Sequence, residues 1–274
     1  MRALGTIGAQ PLIGVVALLV MQGSADTALA APLAREIAVK VRVFEGNARV
    51  DTRLRRDPTL HRFVLADARR ELTRLRRDAE AVGVEGLGTF NNNPWTGDLY
   101  YLLRADLGRH VSVIRRTLSF TGGAHPNTYL STINWDRTAT RAIGLGDMLT
   151  DTANDGSALT AVAELVRAAV AEEYRRRGDR DIDPTAQRQA MRYIEPRLGK
   201  LGAPSLAPST MHGKASGITF HFEPYLVGGF ADGVFVAFVP WRGLAPHLKP
   251  QARALFDGER PQHDEDTNEY GDPK

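Results

Sequence analysis

Residues 121–129 read TGGAHPNTY, and they lie between two segments with the composition of β-strands. Adjacent glycines permit a backbone conformation with positive φ, which a tight connection between strands often requires. Pro126 restricts His125 to extended conformations, because the helical region is disfavoured for a residue that precedes proline. The stretch therefore predicts a turn between two strands, with positive φ at one of the glycines.

The same turn supplies the first set of candidate binding residues. They are Gly122, Gly123, His125, Asn127 and Tyr129. Glycine N–H groups can converge on an anion, but neither the Lys-Ser/Thr of a P-loop nor the third glycine of a dinucleotide fingerprint follows. Nucleotide binding is therefore not expected. A histidine in such a turn is more often hydrogen-bonded to the backbone than catalytic.

A second candidate surface consists of His221, Glu223 and Tyr225. Residues two apart on a strand face the same side, so His221 and Glu223 are expected together. The H-x-E pattern also occurs in zinc deaminases, but these need cysteine ligands, and the chain has none. Asp147 and His125 could add metal ligands by residue type, but no spacing fixes such a site. We predict no metal, no cofactor and no catalytic residue.

The pattern around these segments indicates an α+β fold with mainly antiparallel sheets packed against two or three helices. Strands are predicted at 35–43, 99–107, 110–120, 129–135, 218–222 and 233–240, and helices at 58–82, 157–176 and 184–194. Asp57 and Pro58 form the N-cap and first turn of the first helix. Residues 136–143 are interpreted as a turn, and the Pro/Ser/Gly-rich residues 202–217 as a connector. Because strands and helices occur in groups, strict βαβ alternation is not favoured.

The N-terminus predicts a signal peptide over residues 1–30. An apolar run, PLIGVVALLVM, spans residues 11–21 and is followed by a small-x-small pattern that ends at Ala30. A transmembrane anchor needs about 20 apolar residues, so we expect cleavage near Ala30 and no membrane anchor afterwards. The expected location is the periplasm or the exterior.

Charge is unevenly distributed along the chain. Its formal net charge is +3, but residues 257–274 carry seven acidic against two basic side chains, which leaves +8 on residues 31–256. Residues 251–274 are predicted to form an acidic tail, disordered from Asp257. The arginine-rich helix at 58–82 lacks interleaved aromatic residues, so nucleic-acid binding is not expected.

Four segments together resemble a known family. They are VSV (111–113), TGGAHPNTY (121–129), INWD with GLGDML (133–136 and 144–149), and ITFHFEPYLVGGFADGVFVAFVPW (218–241). In this order they resemble the exported domains of unknown function found in RsiV-like and PdaC-like proteins. The resemblance spans nearly all of residues 35–250. The chain departs at Phe120, Trp135, Met148 and Leu149, where the family often has other apolar residues.

The resemblance implies an N-terminal α+β PdaC-like domain at 31–143 and a C-terminal RsiV-like domain at 144–250. One branch of the family is the extracellular part of an anti-sigma factor that senses lysozyme, and another is an accessory domain of a peptidoglycan deacetylase. We expect the binding part alone here, because neither a sigma-binding nor a deacetylase segment is evident.

Two functions are therefore expected as alternatives. The first is a non-enzymatic module that binds cell-wall glycan or a wall-acting protein such as lysozyme. The second is a periplasmic hydrolase that acts on cell-wall material through His125 or His221 with a nearby carboxylate. Adjacent histidines would favour the hydrolase. The net positive charge of residues 31–256 favours an anionic polymer over a basic lysozyme as the ligand. The oligomeric state is not predicted.

Overall fold

The structure is a computed structural model that describes residues 33–83, 93–178, 191–262 and 264. The expected signal peptide lies outside these residues, as does most of the predicted helix at 184–194. The described residues belong to one compact unit, and the division expected at residue 143 stays a prediction. None of the helices described is both long and apolar enough to cross a membrane.

Six strands form the first sheet in chain order. They are β1 Leu33–Val41, β2 Phe44–Asp51, β3 Trp95–Leu107, β4 His110–Phe120, β5 Asn127–Asp136 and β6 Arg141–Ile143. Only β2 and β3 are parallel; all other neighbours are antiparallel. The parallel pair needs a long crossover, which the helix α1 (Pro58–Val82) supplies.

The predicted start of α1 is confirmed. The Asp57 carboxylate accepts hydrogen bonds from the N–H groups of Thr59 and Leu60 at 3.1 and 3.0 Å, and Pro58 occupies the first helical position. Such a cap satisfies backbone donors that have no partner within the helix. The buried stripe of the helix packs on the sheet and consists of Leu60, Val64, Ala68, Leu72, Leu75 and Ala79.

The two turns that were predicted from glycine residues are also confirmed. Gly108, with φ of +70°, joins β3 to β4, and Gly122, with φ of +86°, lies in the turn between β4 and β5. Two strands of this sheet were not predicted. β2 contains Gly46 and Asn47, which are poor strand formers, and β6 lies in the segment interpreted as a turn. Pairing with a neighbour, rather than composition, makes these segments strands.

The second sheet has three antiparallel strands, β7 Ala203–Pro208, β8 Ala215–Phe222 and β9 Phe235–Pro240. The helix α3 (Ser157–Arg176) has the predicted bounds and packs with this sheet in a second hydrophobic cluster. Short helices are α2 Leu145–Met148, α4 Trp241–Leu244 and α5 Pro250–Arg253. The α+β fold with mainly antiparallel sheets is thus confirmed.

The connector predicted at 202–217 is wrong, because β7 and the start of β8 occupy it. β7 is an edge strand of its sheet, and edge positions tolerate proline, which has no N–H to donate. Pro204 and Pro208 are two such positions. A composition rich in proline, serine and glycine is compatible with an edge strand as well as with a loop.

The free edge of β7 is buried against the face of the six-stranded sheet. The N–H of Leu206 donates to Ser112 Oγ at 3.0 Å and to Asn134 Oδ1 at 3.2 Å. The carbonyl of Pro204 accepts from Asn134 Nδ2 at 2.9 Å and from Thr132 Oγ1 at 2.6 Å. Ser112 and Asn134 are themselves buried. Side chains of the six-stranded sheet therefore supply the hydrogen bonds that a neighbouring strand would otherwise give to the free edge of β7.

The segment after residue 251 belongs to the folded body as far as the structure describes it. Leu255 and Phe256 are buried in the second cluster. Asp264 receives two hydrogen bonds from Arg104, at 2.7 and 2.8 Å, and a third from Arg260. The sequence predicts disorder from Asp257, because the segment is polar and acidic. In the structure, the ion pairs with Arg104 and Arg260 neutralise the negative charge of Asp264. The remainder of the expected tail lies outside the described residues.

We predict that Asn134→Ala destabilises the protein by about 2–3 kcal/mol, because it leaves buried polar groups of β7 and Ser112 with fewer partners. Ser112→Ala should cost about 1 kcal/mol, since Leu206 keeps its bond to Asn134. Urea unfolding measures both. Asn127→Ala, elsewhere on β5, is the control and should change stability by less than about 0.5 kcal/mol. Equal effects of Asn134→Ala and Asn127→Ala would contradict the role of the junction.

A second prediction concerns Asp264. Asp264→Ala removes a carboxylate that binds the buried guanidinium of Arg104 and should cost about 3 kcal/mol. Glu259→Ala, which removes an exposed partner of Arg242, should cost less than about 1 kcal/mol.

The effect of Asp264 should depend on pH. Burial acts to raise the pKa of the Asp264 carboxyl, but the guanidiniums of Arg104 and Arg260 outweigh it and lower that pKa. The stabilisation is then present above the unfolded value of about 3.9 and is lost as pH falls through the lower folded value. Denaturant titrations at pH 7 and below pH 4 should show a shrinking difference between wild type and Asp264→Ala; a constant difference would contradict the ion pair.

Candidate functional site

A groove of about 520 Å³ opens beside the first half of β5. Its walls come from β5, from the start of β7, from the end of β8 and from residues between α3 and β7. Its lining residues include Leu130, Thr132, Tyr193, Lys200, Pro204 and Glu223. Along residues 127–133, β5 pairs with β4 on one side only among the described residues. The groove therefore follows an open strand edge.

Three aromatic rings cluster where the Gly122 turn meets the loop after β8. The rings of His125 and Phe230 stack with their centroids 3.7 Å apart. Tyr225 lies at a ring distance of 5.9 Å from Phe230, and its hydroxyl is 3.3 Å from His125 Nε2. Tyr225 is 56% exposed and Phe230 39%. We name His125, Tyr225 and Phe230 the aromatic trio.

The contacts of His125 fix its hydrogen-bonding state. Its Nδ1 lies 3.1 Å from the carbonyl of Pro126, and a carbonyl only accepts, so Nδ1 carries a proton. Nε2 is then free to accept the proton of the Tyr225 hydroxyl. A histidine bound to the backbone in this turn was the interpretation from sequence, and the geometry agrees with it.

Tyr225 has a backbone conformation that is costly for a non-glycine residue. Its φ is +75°, in a region that costs about 1–2 kcal/mol for an L-residue. The loop that carries it is held from α3: the hydroxyl of Tyr174 donates to the carbonyl of Val227, and Arg177 donates to the carbonyl of Asp232 at 2.6 Å. The exposed tyrosine is thus presented by a loop with fixed anchors.

Glu223 lies next to the trio and follows the last residue of β8. Its Oε2 accepts a hydrogen bond from the N–H of Leu130 at 3.1 Å, which ties the loop to the open edge of β5. Burial raises the pKa of the half-buried Glu223 carboxyl, and the Leu130 bond opposes that rise. Among the described residues no arginine, lysine or histidine forms an ion pair with it. Lys200, also in the groove, lies 3.9 Å from Glu195.

His221 borders the groove, but its side chain points into the interior. It is 1% exposed, and its Nε2 lies 2.7 Å from Ser205 Oγ. Burial, together with the positive charges of Arg104 and Arg260, lowers the pKa of His221 to about 3. His221 is therefore neutral at physiological pH and has different surroundings from His125.

His221 and Glu223 both line the groove, but their side chains make different contacts. Side chains alternate in direction only within a strand, and β8 ends at Phe222. Glu223 turns towards Leu130 instead. Tyr225 does meet the Gly122 turn, through His125, so the two candidate surfaces predicted from the sequence adjoin one another.

Tyr129 faces away from the groove. It shares its side of β5 with Ile133 and Trp135, which pack in the cluster under α1, and Arg74 of α1 lies near it. Leu130 and Thr132 are on the other side. Asn127 starts β5 opposite Ser119, and Gly122 and Gly123 shape the turn.

Sequence reasoning missed Phe230 and the groove residues Leu130 and Lys200. Phe230 stands between glycines and small polar residues in GGFADG, and an exposed aromatic in such a loop was the available signal. No group of three possible metal ligands occurs among the residues described. Asp147, considered as a ligand, accepts from the N–H of Gly144 at 2.7 Å and pairs with Arg141.

Comparison with known proteins gives a fold relationship. No family model matches the chain, and no curated protein matches it. A crystal structure of a DUF3298 family protein from Pseudomonas aeruginosa PAO1 is similar, with a TM-score of 0.52 and 18% identity over 84% of this chain and 98% of the other. A DUF3298 family member from Bacteroides fragilis NCTC 9343 has a TM-score of 0.49 and 16% identity over 80% and 95% of the two chains.

The likeness to the Pseudomonas protein covers nearly the whole of that structure, and at 18% identity it concerns the fold alone. The chain is thus similar in fold to a member of a family of uncharacterised domains.

Proposed function

We propose that this protein is an exported, non-catalytic binding module of the cell envelope and that it recognises peptidoglycan through the groove beside β5. The observation that carries the proposal is the aromatic trio. Its Tyr225 and Phe230 are exposed on the loop that follows Glu223, and Glu223 lines the groove. The resemblance of the sequence to RsiV-like and PdaC-like domains and the pattern of residues 1–30 support the same setting.

The groove suits a glycan for physical reasons. Pyranose rings present flat C–H faces that pack on aromatic rings, and their hydroxyl groups bind carboxylates and backbone groups. A volume of about 520 Å³ lies within the usual range for sites that hold small ligands. The open edge of β5 offers backbone groups along the length of such a chain.

A hydrolase finds less support in the same geometry. Most glycoside hydrolases use two carboxylates that flank the bond to be cleaved, and Glu223 is the one carboxylate among the described lining residues. His125 contacts Pro126 and aromatic rings, and His221 is buried. Among the described residues, no hydrogen bond or ion pair joins either histidine to Glu223.

Charge favours an anionic polymer over a basic protein such as lysozyme. Residues 31–256 carry a formal charge of +8, and like charges slow association and weaken it. Peptidoglycan carries carboxylates and would be attracted. Net charge does not provide specificity, so the test must separate it from the contribution of the groove.

The test is co-sedimentation of residues 31–274 with purified sacculi at increasing salt. We expect retention to persist near 1 M salt, where the screening length is about 3 Å and non-specific attraction is suppressed. Retention that vanishes at modest salt, with binding to lysozyme instead, would overturn the proposal in favour of a protein partner.

Variants of the trio should weaken retention. Phe230→Ala and Tyr225→Asn should each reduce affinity about tenfold, equivalent to about 1.4 kcal/mol. Tyr225→Asn should leave stability within about 1 kcal/mol, because asparagine tolerates positive φ and the relief of strain offsets the lost ring contacts. Quantitative sedimentation and thermal unfolding measure the two effects.

Tyr129→Ala is the matched control, because Tyr129 is comparably exposed, at 46%, but faces α1. It should bind sacculi like the wild type. If all three variants bound equally well, the groove would not be the binding surface.

A further inference from the structure

We propose that the groove selects a glycan with a free, protonated amino group on its sugar, and that Glu223 binds this ammonium group. The inference rests on the proposed function and names the chemistry of the ligand more closely. It follows from Glu223, a groove carboxylate that has no ion pair with any described residue, and from the aromatic trio on the loop that follows it.

Among the residues that the structure describes, the fully buried carboxylates pair with arginine. Glu173 binds Arg176 and Arg177, and Asp264 binds Arg104 and Arg260. A charge that is removed from water without a partner is unfavourable, so this pairing is the expected arrangement. The half-buried Glu223 differs from these carboxylates.

Among the described residues, Glu223 has one hydrogen-bond partner, the N–H of Leu130. An ionised carboxylate has about four acceptor positions, so acceptor capacity remains for a ligand in the groove that Glu223 lines. A neutral donor satisfies hydrogen bonding but does not compensate charge. A cationic ligand would do both, and hydrogen bonds between ionised groups are roughly twice as strong as neutral ones.

The aromatic trio indicates which kind of cation Glu223 binds. Tyr225 is two residues from Glu223, and the stacked rings of His125 and Phe230 extend the apolar surface. Such a surface suits the flat face of a sugar ring and also attracts a cation. An amino sugar combines both features in one ring, whereas an acetylated amine offers the carboxylate only a neutral N–H.

The probes are the tetramers of glucosamine and of N-acetylglucosamine, which differ in the acetyl groups alone. Calorimetry near pH 6 should give at least about tenfold tighter binding of the glucosamine tetramer. Equal affinities, or tighter binding of the acetylated tetramer, would overturn the inference.

Glu223→Gln should remove this preference. Its amide oxygen still accepts from Leu130, so the loop keeps its attachment to β5. Glu164→Gln is the matched control, because Glu164 is an exposed residue of α3 with no ion pair among the described residues, and the change removes the same charge. We expect Glu164→Gln to keep the preference; equal loss in both variants would show an effect of net charge only.

A muropeptide with acetylated sugars and a lysine side chain tests the other source of an amine. Glu223→Gln should weaken the binding of this probe less than it weakens the binding of the glucosamine tetramer. An equal loss for the two probes would contradict the assignment to a sugar.

The failures of the two proposals are distinguishable. If sacculi are retained at high salt through Tyr225 and Phe230, but chemical re-acetylation of the sacculi changes nothing, the inference fails and the proposed function stands. If sacculi are not retained while the glucosamine tetramer binds through Glu223, the proposed function fails and the ammonium site stands.

Discussion

The buried edge of β7 is the constraint on which the rest of the structure depends. A strand edge in the interior must satisfy its backbone groups, and here Ser112, Thr132 and Asn134 do so from the face of another sheet. Side-chain bonds of this kind fix both the distance and the direction of β7 relative to β4 and β5. The second sheet, with α3 packed on it, is placed by these few contacts.

The groove follows from the same placement. Thr132 and Asn134 of β5 hold β7, and two residues earlier the N–H of Leu130 binds Glu223. One strand therefore carries both features: its side chains form the structural junction, and its open edge holds the polar end of the candidate site. Motif residues of the sequence acquire different roles as a result: Ser112 and Asn134 join the sheets, while His125 and Tyr225 face solvent.

Local features of the fold were predictable because their causes lie within a few residues. The Asp57 cap, the turns at Gly108 and Gly122, and the bounds of α3 are examples. β2, β6 and β7 were missed because their residues form strands only when a distant neighbour supplies hydrogen bonds or apolar contacts. The same limit applies to the docking of Asp264 on Arg104, which are separated by 160 residues.

The candidate site was predictable in part for the same reason. The turn with His125 and the segment with Glu223 and Tyr225 were identified, but their contact with one another was not. Tyr129 was grouped with the turn residues, and its position on the side of β5 that meets α1 was not predicted, because the periodicity of a strand gives two faces without saying which one meets a helix. His221 and Glu223 were expected on one face, but Glu223 lies beyond the end of β8 at Phe222, where alternation no longer sets the direction of a side chain.

Two features of the groove are unfavourable for folding by themselves. Tyr225 has a backbone conformation that disfavours side chains, and Glu223 has a raised pKa because burial is not compensated by a cation. Elsewhere the chain avoids both costs, with glycine at most positive φ positions and arginine beside buried carboxylates. Local departures from such rules concentrate at functional sites. That both occur within three residues of each other, beside exposed aromatic rings, is the physical reason to place ligand recognition here.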